Sequence, residues 1–129
     1  MLEKQSNQPP AVRIPHHLFS QTESFDAQLH SRCITGWRTV FEHVGRRPFH
    51  GQIAELCLWP LQVIHERLDQ PCVCRSMPWS GALIFLSFVE SQNVSCVGRD
   101  IFPKAVTAFP GEYGSTFCSA PTESITVAV

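Results

Sequence analysis

Residues 52–69 read Gln52-Ile53-Ala54-Glu55-Leu56-Cys57-Leu58-Trp59-Pro60-Leu61-Gln62-Val63-Ile64-His65-Glu66-Arg67-Leu68-Asp69, and how this stretch folds decides the fold class. On helical spacing, Ile53, Leu56, Cys57, Leu61, Ile64 and Leu68 fall on one stripe, and the pattern stops before Pro71. Pro60 is the flaw. A proline inside a helix removes a main-chain donor and crowds the preceding turn, so a kink, or two short helices meeting near Trp59, is expected.

Toward the N-terminus, Ser20-Gln21-Thr22-Glu23 has the form of a capping box. Beyond it Phe25, Leu29, Cys33, Trp37, Val40, Phe41 and Val44 recur at steps of three and four. Gly36 and the β-branched pair Ile34-Thr35 weaken the middle of that segment, and Gly45 supplies a C-terminal stop before the turn Arg46-Arg47-Pro48. The short connection predicts an antiparallel helical hairpin over residues 20–70.

Toward the C-terminus the pattern changes. Ala82 to Val89 is a compact apolar run rich in strand formers, and Ser124 to Val129 alternates with period two. Val94 to Val97, Ile101-Phe102 and Ala105 to Phe109 are shorter strand candidates, separated by Gly98, Pro103 and Pro110-Gly111. The expected fold class is α+β: an N-terminal helical hairpin followed by short, irregular β-strands, with a second half whose Pro and Gly spacing leaves a proper sheet unspecified. Residues 1–19, which include Glu3, Lys4, Gln5, Gln8, Pro9 and Pro10, read as a polar, flexible arm. Residues 20–129 read as one small domain, 20–70 the hairpin and 71–129 the strand-rich part.

The 129 residues are 43% hydrophobic and 16% charged with a net charge of −1, enough apolar material for one modest core and too short a chain for a second domain. Globular domains average about 25% charged residues, so this surface is short of solubilising charge. The shortage is greatest in the second half. Of ten Lys and Arg only Lys4 and Lys104 are lysines. Either a partner covers part of the surface, or the composition reflects the base content of the encoding DNA. Near-zero net charge, with Arg46-Arg47 the only basic pair, argues against nucleic-acid binding and against a polybasic membrane patch.

The start of the chain has no apolar segment of signal-peptide type, and the uncharged run Met77 to Val89 falls short of the roughly 20 residues of a membrane-spanning helix. A cytoplasmic or nuclear location is expected, with the six cysteines reduced and the sequon Asn93-Val94-Ser95 a chance match.

Six His and six Cys raise the question of metal. His30 and Cys33 are three residues apart, and Cys72-Val73-Cys74 would add two thiolates, but the two short-spaced pairs that announce a structural zinc site are missing. His65-Glu66-Arg67-Leu68-Asp69 begins like the H-E-x-x-H helix of zinc proteases, yet Asp69 stands where the second His should be. There is no nucleophile elbow around Ser80 and no Gly-rich phosphate cradle, and Gly111-Glu112-Tyr113-Gly114 reads as a turn. No catalytic residue, cofactor or small-molecule substrate is inferred. Trp79, Leu83 and Phe85 in the apolar run, with Val127 and Val129 at a C-terminus suited to strand addition, are the candidate interaction residues.

The chain therefore reads as a small, intracellular, non-enzymatic protein acting through contact with another protein. Three alternatives come from other classes: a zinc-binding module using His30, Cys33, Cys72 and Cys74, a peripheral membrane protein docking through Met77–Val89, and an open reading frame product with little or no selected function.

Overall fold

In the computed structural model, which describes residues 18–90, 94–96, 99–101, 104–111, 115–118 and 121–129, residues 51–68 are a β-hairpin and not a helix. Strands β3 (Gly51–Leu58) and β4 (Leu61–Leu68) pair antiparallel from Gly51↔Leu68 to Leu58↔Leu61, and Trp59-Pro60, joined by a cis peptide bond, forms the two-residue turn. Pro60 thus sits where no ladder donor is needed. Positions four apart share a face in a helix and in a strand alike, so Ile53 with Cys57 and Ile64 with Leu68 satisfied both patterns. The deciding positions are the intermediate ones. Leu56 and Leu61, on the supposed helical stripe, point out of the sheet, while Glu55 and Gln62 are fully buried.

The segment before it departs from expectation in the same way. Ser20 to Glu23 lies in β1 (Leu18–Ser24), paired with β3 as Ser20↔Glu55 and Glu23↔Gln52, and caps nothing. The one helix among the described residues is the single turn α1 (Ala27–His30). Its cap is Asp26, whose carboxylate accepts from the backbone N–H groups of Gln28 at 2.8 Å and Leu29 at 3.0 Å. The supposed stripe is split, with Phe25, Leu29, Val40 and Val44 exposed and Phe41 buried, and Val40 and Phe41 lie in β2 (Arg38–His43). The α+β class with an N-terminal helical hairpin is therefore replaced by an almost all-β fold.

The remaining strands are β5 (Cys72–Met77), β6 (Leu83–Glu90), β7 (Val94–Cys96), β8 (Arg99–Ile101), β9 (Val106–Pro110), β10 (Ser115–Cys118) and β11 (Thr122–Ala128). Gly81, with φ of 83°, takes the left-handed conformation in the turn that leads into β6. All pairings are antiparallel, in a six-stranded sheet ordered β1-β3-β4-β11-β6-β9 and a five-stranded sheet ordered β2-β5-β10-β7-β8. The polar arm expected over 1–19 lies outside the described residues except for Leu18 and Phe19, which open β1.

The two sheets meet through Phe41 and Cys72 of the smaller sheet against Leu68 of the larger, with Phe49 from the β2–β3 connection. Ile34 packs on Ile53 and Ile64, and Trp79 with Cys57, Ala82, Ile84 and Ala128 forms the rest of the core. Burying each such Ile, Leu or Phe side chain contributes about 1.5–3 kcal/mol relative to leaving it exposed.

Candidate functional site

The inner face of the larger sheet carries a polar cluster. Gln62 of β4 accepts at Oε1 from the indole N–H of Trp37 at 2.8 Å and of Trp79 at 3.2 Å. Its amide donates to the Thr35 carbonyl at 2.9 Å and to Glu55 Oε2 at 3.1 Å, and that same oxygen accepts from the Thr35 backbone N–H at 2.8 Å. Trp37 stands just before β2 and Trp79 just after β5, neighbouring strands that pair Arg38↔Met77. One glutamine therefore pins two connections between the sheets. This is an architectural role, because every strong donor and acceptor of Gln62 is already engaged.

The four metal candidates are placed as follows. His30, fully buried at the end of α1, lies edge-on to Phe41 and Phe49 and donates from Nε2 to Glu66 Oε2 at 2.8 Å. Its Nδ1 has no partner among the described residues. Cys33 donates to the Leu29 carbonyl, Cys72 to the Gln70 carbonyl, and Cys74 lies 3.1 Å from the Ser76 hydroxyl. Among the described residues no three His, Cys, Asp or Glu side chains converge as a metal-ligating group. Burial pushes the Cys72 thiol up to about 11, helped by the charges of Glu66 and Asp69, and pushes Cys57 up to about 12, helped by the Glu55 carboxylate beside it. His65 and Asp69 of the protease-like motif part company. His65 lies on the outer face of β4, where Nε2 donates to Glu123 Oε1 at 2.7 Å, and Asp69 accepts from the His50 backbone N–H at 2.8 Å.

The outer face of the larger sheet assembles most of the interaction candidates. Strand alternation turns Leu83, Phe85, Val127 and Val129 away from the core, with Val127 registered on Phe85 and Leu83 exchanging backbone hydrogen bonds with Val129. Trp79 does not join them. It is buried, with its indole on Gln62.

Following the register across the sheet, Phe19, Leu56, Val63, Val127, Phe85 and Ala108 form one row that crosses all six strands. Leu58, Leu61, Val129 and Leu83 lie alongside it at one end. Along the row Phe19 is 65% exposed and Leu56 36%, while Val63, Val127 and Phe85 are half-buried. At the other end of the same face the strands carry Glu23, Gln52, Arg67 and Glu123 in register. There His65 and Arg67 both donate to Glu123 Oε1, and the His65 hydrogen bond, more than the Arg67 guanidinium, holds the Glu123 carboxyl below its ordinary value. The face is thus an apolar field with a charged margin.

Leu56 and Val63 were hidden because the helical spacing of residues 52–69 overrides strand alternation there, Phe19 falls in the expected polar arm, and Ile125 lies in a segment that reads as a period-two strand. No protein family model matches the chain, and no curated protein or solved structure is significantly similar to it. No described helix is long and apolar enough to cross a membrane.

Proposed function

We propose that this chain is a non-enzymatic protein that works by binding another protein surface through the outer face of its larger sheet. The observation that carries this is the apolar row from Phe19 to Ala108. Antiparallel sheets with one solvated face normally alternate apolar-in and polar-out, and strands apolar on both faces belong to sheets covered on both faces. β6 approaches the second kind, with Ile84, Leu86 and Phe88 inward and Leu83, Phe85 and Val89 outward, broken only by Ser87.

The interior supports a small-molecule role less well. The cavity between the sheets, bounded by Phe41, Ile64, Glu66, Leu86 and Phe88, measures about 70 Å³, against about 300 to 1,000 Å³ for ligand pockets, and the hollows of about 300 and 470 Å³ lie open to solvent at the charged margin around Gln52 and Arg67. Nor does the His65–Glu123 pair support hydrolysis, because among the described residues no hydroxyl or thiol hydrogen-bonds to His65.

A photo-crosslinking residue at position 63, on the row, and another at position 75, exposed on the smaller sheet, test the proposal in cells. Protein adducts at 63 and none at 75 are expected. Equal labelling at both positions, or none at 63, overturns it.

A further inference from the structure

Resting on the reading of the outer face as a protein-binding surface, we infer that its occupant is a second copy of this chain, docked face to face about a two-fold axis that runs between β4 and β11. The strand order makes this axis special. β1, β3 and β4 lie on one side of it and β11, β6 and β9 on the other, so the rotation sets β4 over the second copy's β11, β3 over its β6 and β1 over its β9. A two-fold interface must be self-complementary, each patch meeting its counterpart.

The register delivers that complementarity in the charged row and in the apolar row, while the row between them sets His65 over Ile125. Arg67 and Glu123 are paired neighbours of the axis, since Glu123 is registered on Arg67. The rotation therefore brings Arg67 of each copy over Glu123 of the other, two opposite-charge contacts where a one-sign pair would repel. In the apolar row Val63, registered on Val127, meets the second copy's Val127, and Leu56 meets its Phe85. Aligned sheets pack within about 30° of parallel and about 10 Å apart, so these rows stay opposed close to the axis, where the Val63 and Arg67 contacts sit.

The area suffices. Six strands at about 4.8 Å give about 29 Å of width, and five residues along each give about 17 Å of length. That is roughly 500 Å² per copy in plan and about 1,000 Å² for the pair, the level a specific interface has to reach. The anatomy fits as well: an apolar centre, with charge and the His65, Arg67 and Glu123 hydrogen bonds at its margin.

Sedimentation equilibrium of the full chain up to about 200 µM under reducing conditions is the test, with charge-reversal variants. The wild-type chain is expected to dimerise, and Arg67→Glu and Glu123→Arg are each expected to weaken dimerisation at least about tenfold. The double variant Arg67→Glu/Glu123→Arg, which restores both contacts, should return to within about threefold of wild type. Amide hydrogen exchange should show slowing on dimerisation in β4 and β11. A double variant no better than the singles, or slowing confined to the smaller sheet, overturns the two-fold arrangement. A chain that stays monomeric overturns the second copy as occupant. If position 63 then still crosslinks to a different protein, the protein-binding reading stands without it, and if it crosslinks to nothing, both fall.

Discussion

The two faces of the larger sheet are built from alternate residues of the same strands, yet each departs from what its environment favours. Along β4 the inward residues are Gln62, Ile64, Glu66 and Leu68, and the outward ones are Leu61, Val63, His65 and Arg67. The inner face holds Glu55 and Gln62 at zero exposure, together with the half-buried Glu66, while the outer face leaves Phe19, Leu56 and Ile125 toward solvent. A buried polar group is tolerated when its hydrogen bonds are made, and those of Gln62 are. The exposed apolar residues of the outer face have no such compensation among the described residues. The inner face satisfies the polar groups of Gln62 by itself; the outer one is the face proposed to take a partner.

The strongest way to break the contrast is to spoil the inner face. Gln62→Ala leaves the two indole N–H groups and Glu55 Oε2 without this partner at a site closed to water. Each buried group left unsatisfied costs about 1–3 kcal/mol, so a loss of about 3–5 kcal/mol is expected in urea unfolding. A loss under about 1 kcal/mol would mean that the cluster does not hold the connections as described.

Gly51→Ala probes the same interior by volume. A Cβ there would lie 2.6 Å from His30 Nδ1 and 2.9 Å from Phe49 Cζ, both parts of buried rings with little room to retreat. Overpacking of this kind costs about 1–3 kcal/mol, and the melting temperature should fall accordingly. On the outer face Leu56→Thr keeps strand propensity and removes apolar surface. Its stability should stay within about 0.5 kcal/mol of wild type while dimerisation weakens, an effect confined to association.

How much of this the sequence disclosed follows from the same two faces. Leu83, Phe85, Val127 and Val129 were legible as strand residues because the apolar run is rich in strand formers and the C-terminal tail alternates with period two, and strands do form at β6 and β11. Residues 52–68 were not legible. Their inward polar residues Glu55 and Gln62 and outward apolar residues Leu56 and Val63 cancel the period-two signal, and the surviving four-residue spacings suit a helix equally well. The hydrogen bonds that permit a buried Gln62 come from Trp37 and Trp79, far away along the chain, so no local window contains the reason for the pattern.

Thiol chemistry separates interior from surface without a mutation. With iodoacetamide near pH 8, Cys57 and Cys72, both buried and with thiols pushed up to about 12 and about 11, should remain unmodified in the native protein, whereas half-buried Cys33 should react before them. Peptide mass spectrometry before and after urea reads this directly. Early labelling of Cys57 would contradict its place beneath Trp79.

The smallest expected effect belongs to the charged margin. The Glu123 carboxyl is held below its ordinary value of 4.5, first by the His65 hydrogen bond and then by Arg67, while in the unfolded chain it has neither partner. The unfolded state therefore takes up this proton at higher pH than the folded one, and stability falls as acid is added. The contribution is fully present above pH 4.5 and disappears as the pH drops through the folded value. Both partners are exposed enough for salt to screen them, so Glu123→Gln should change stability little at pH 7 and flatten the decline below pH 4.5. Urea midpoints between pH 3 and pH 7 on the Arg67→Gln background, which removes the guanidinium without setting a like charge beside Glu123, would isolate the share due to His65. An acid limb unchanged by Glu123→Gln would show that His65 and Glu123 do not pair in solution.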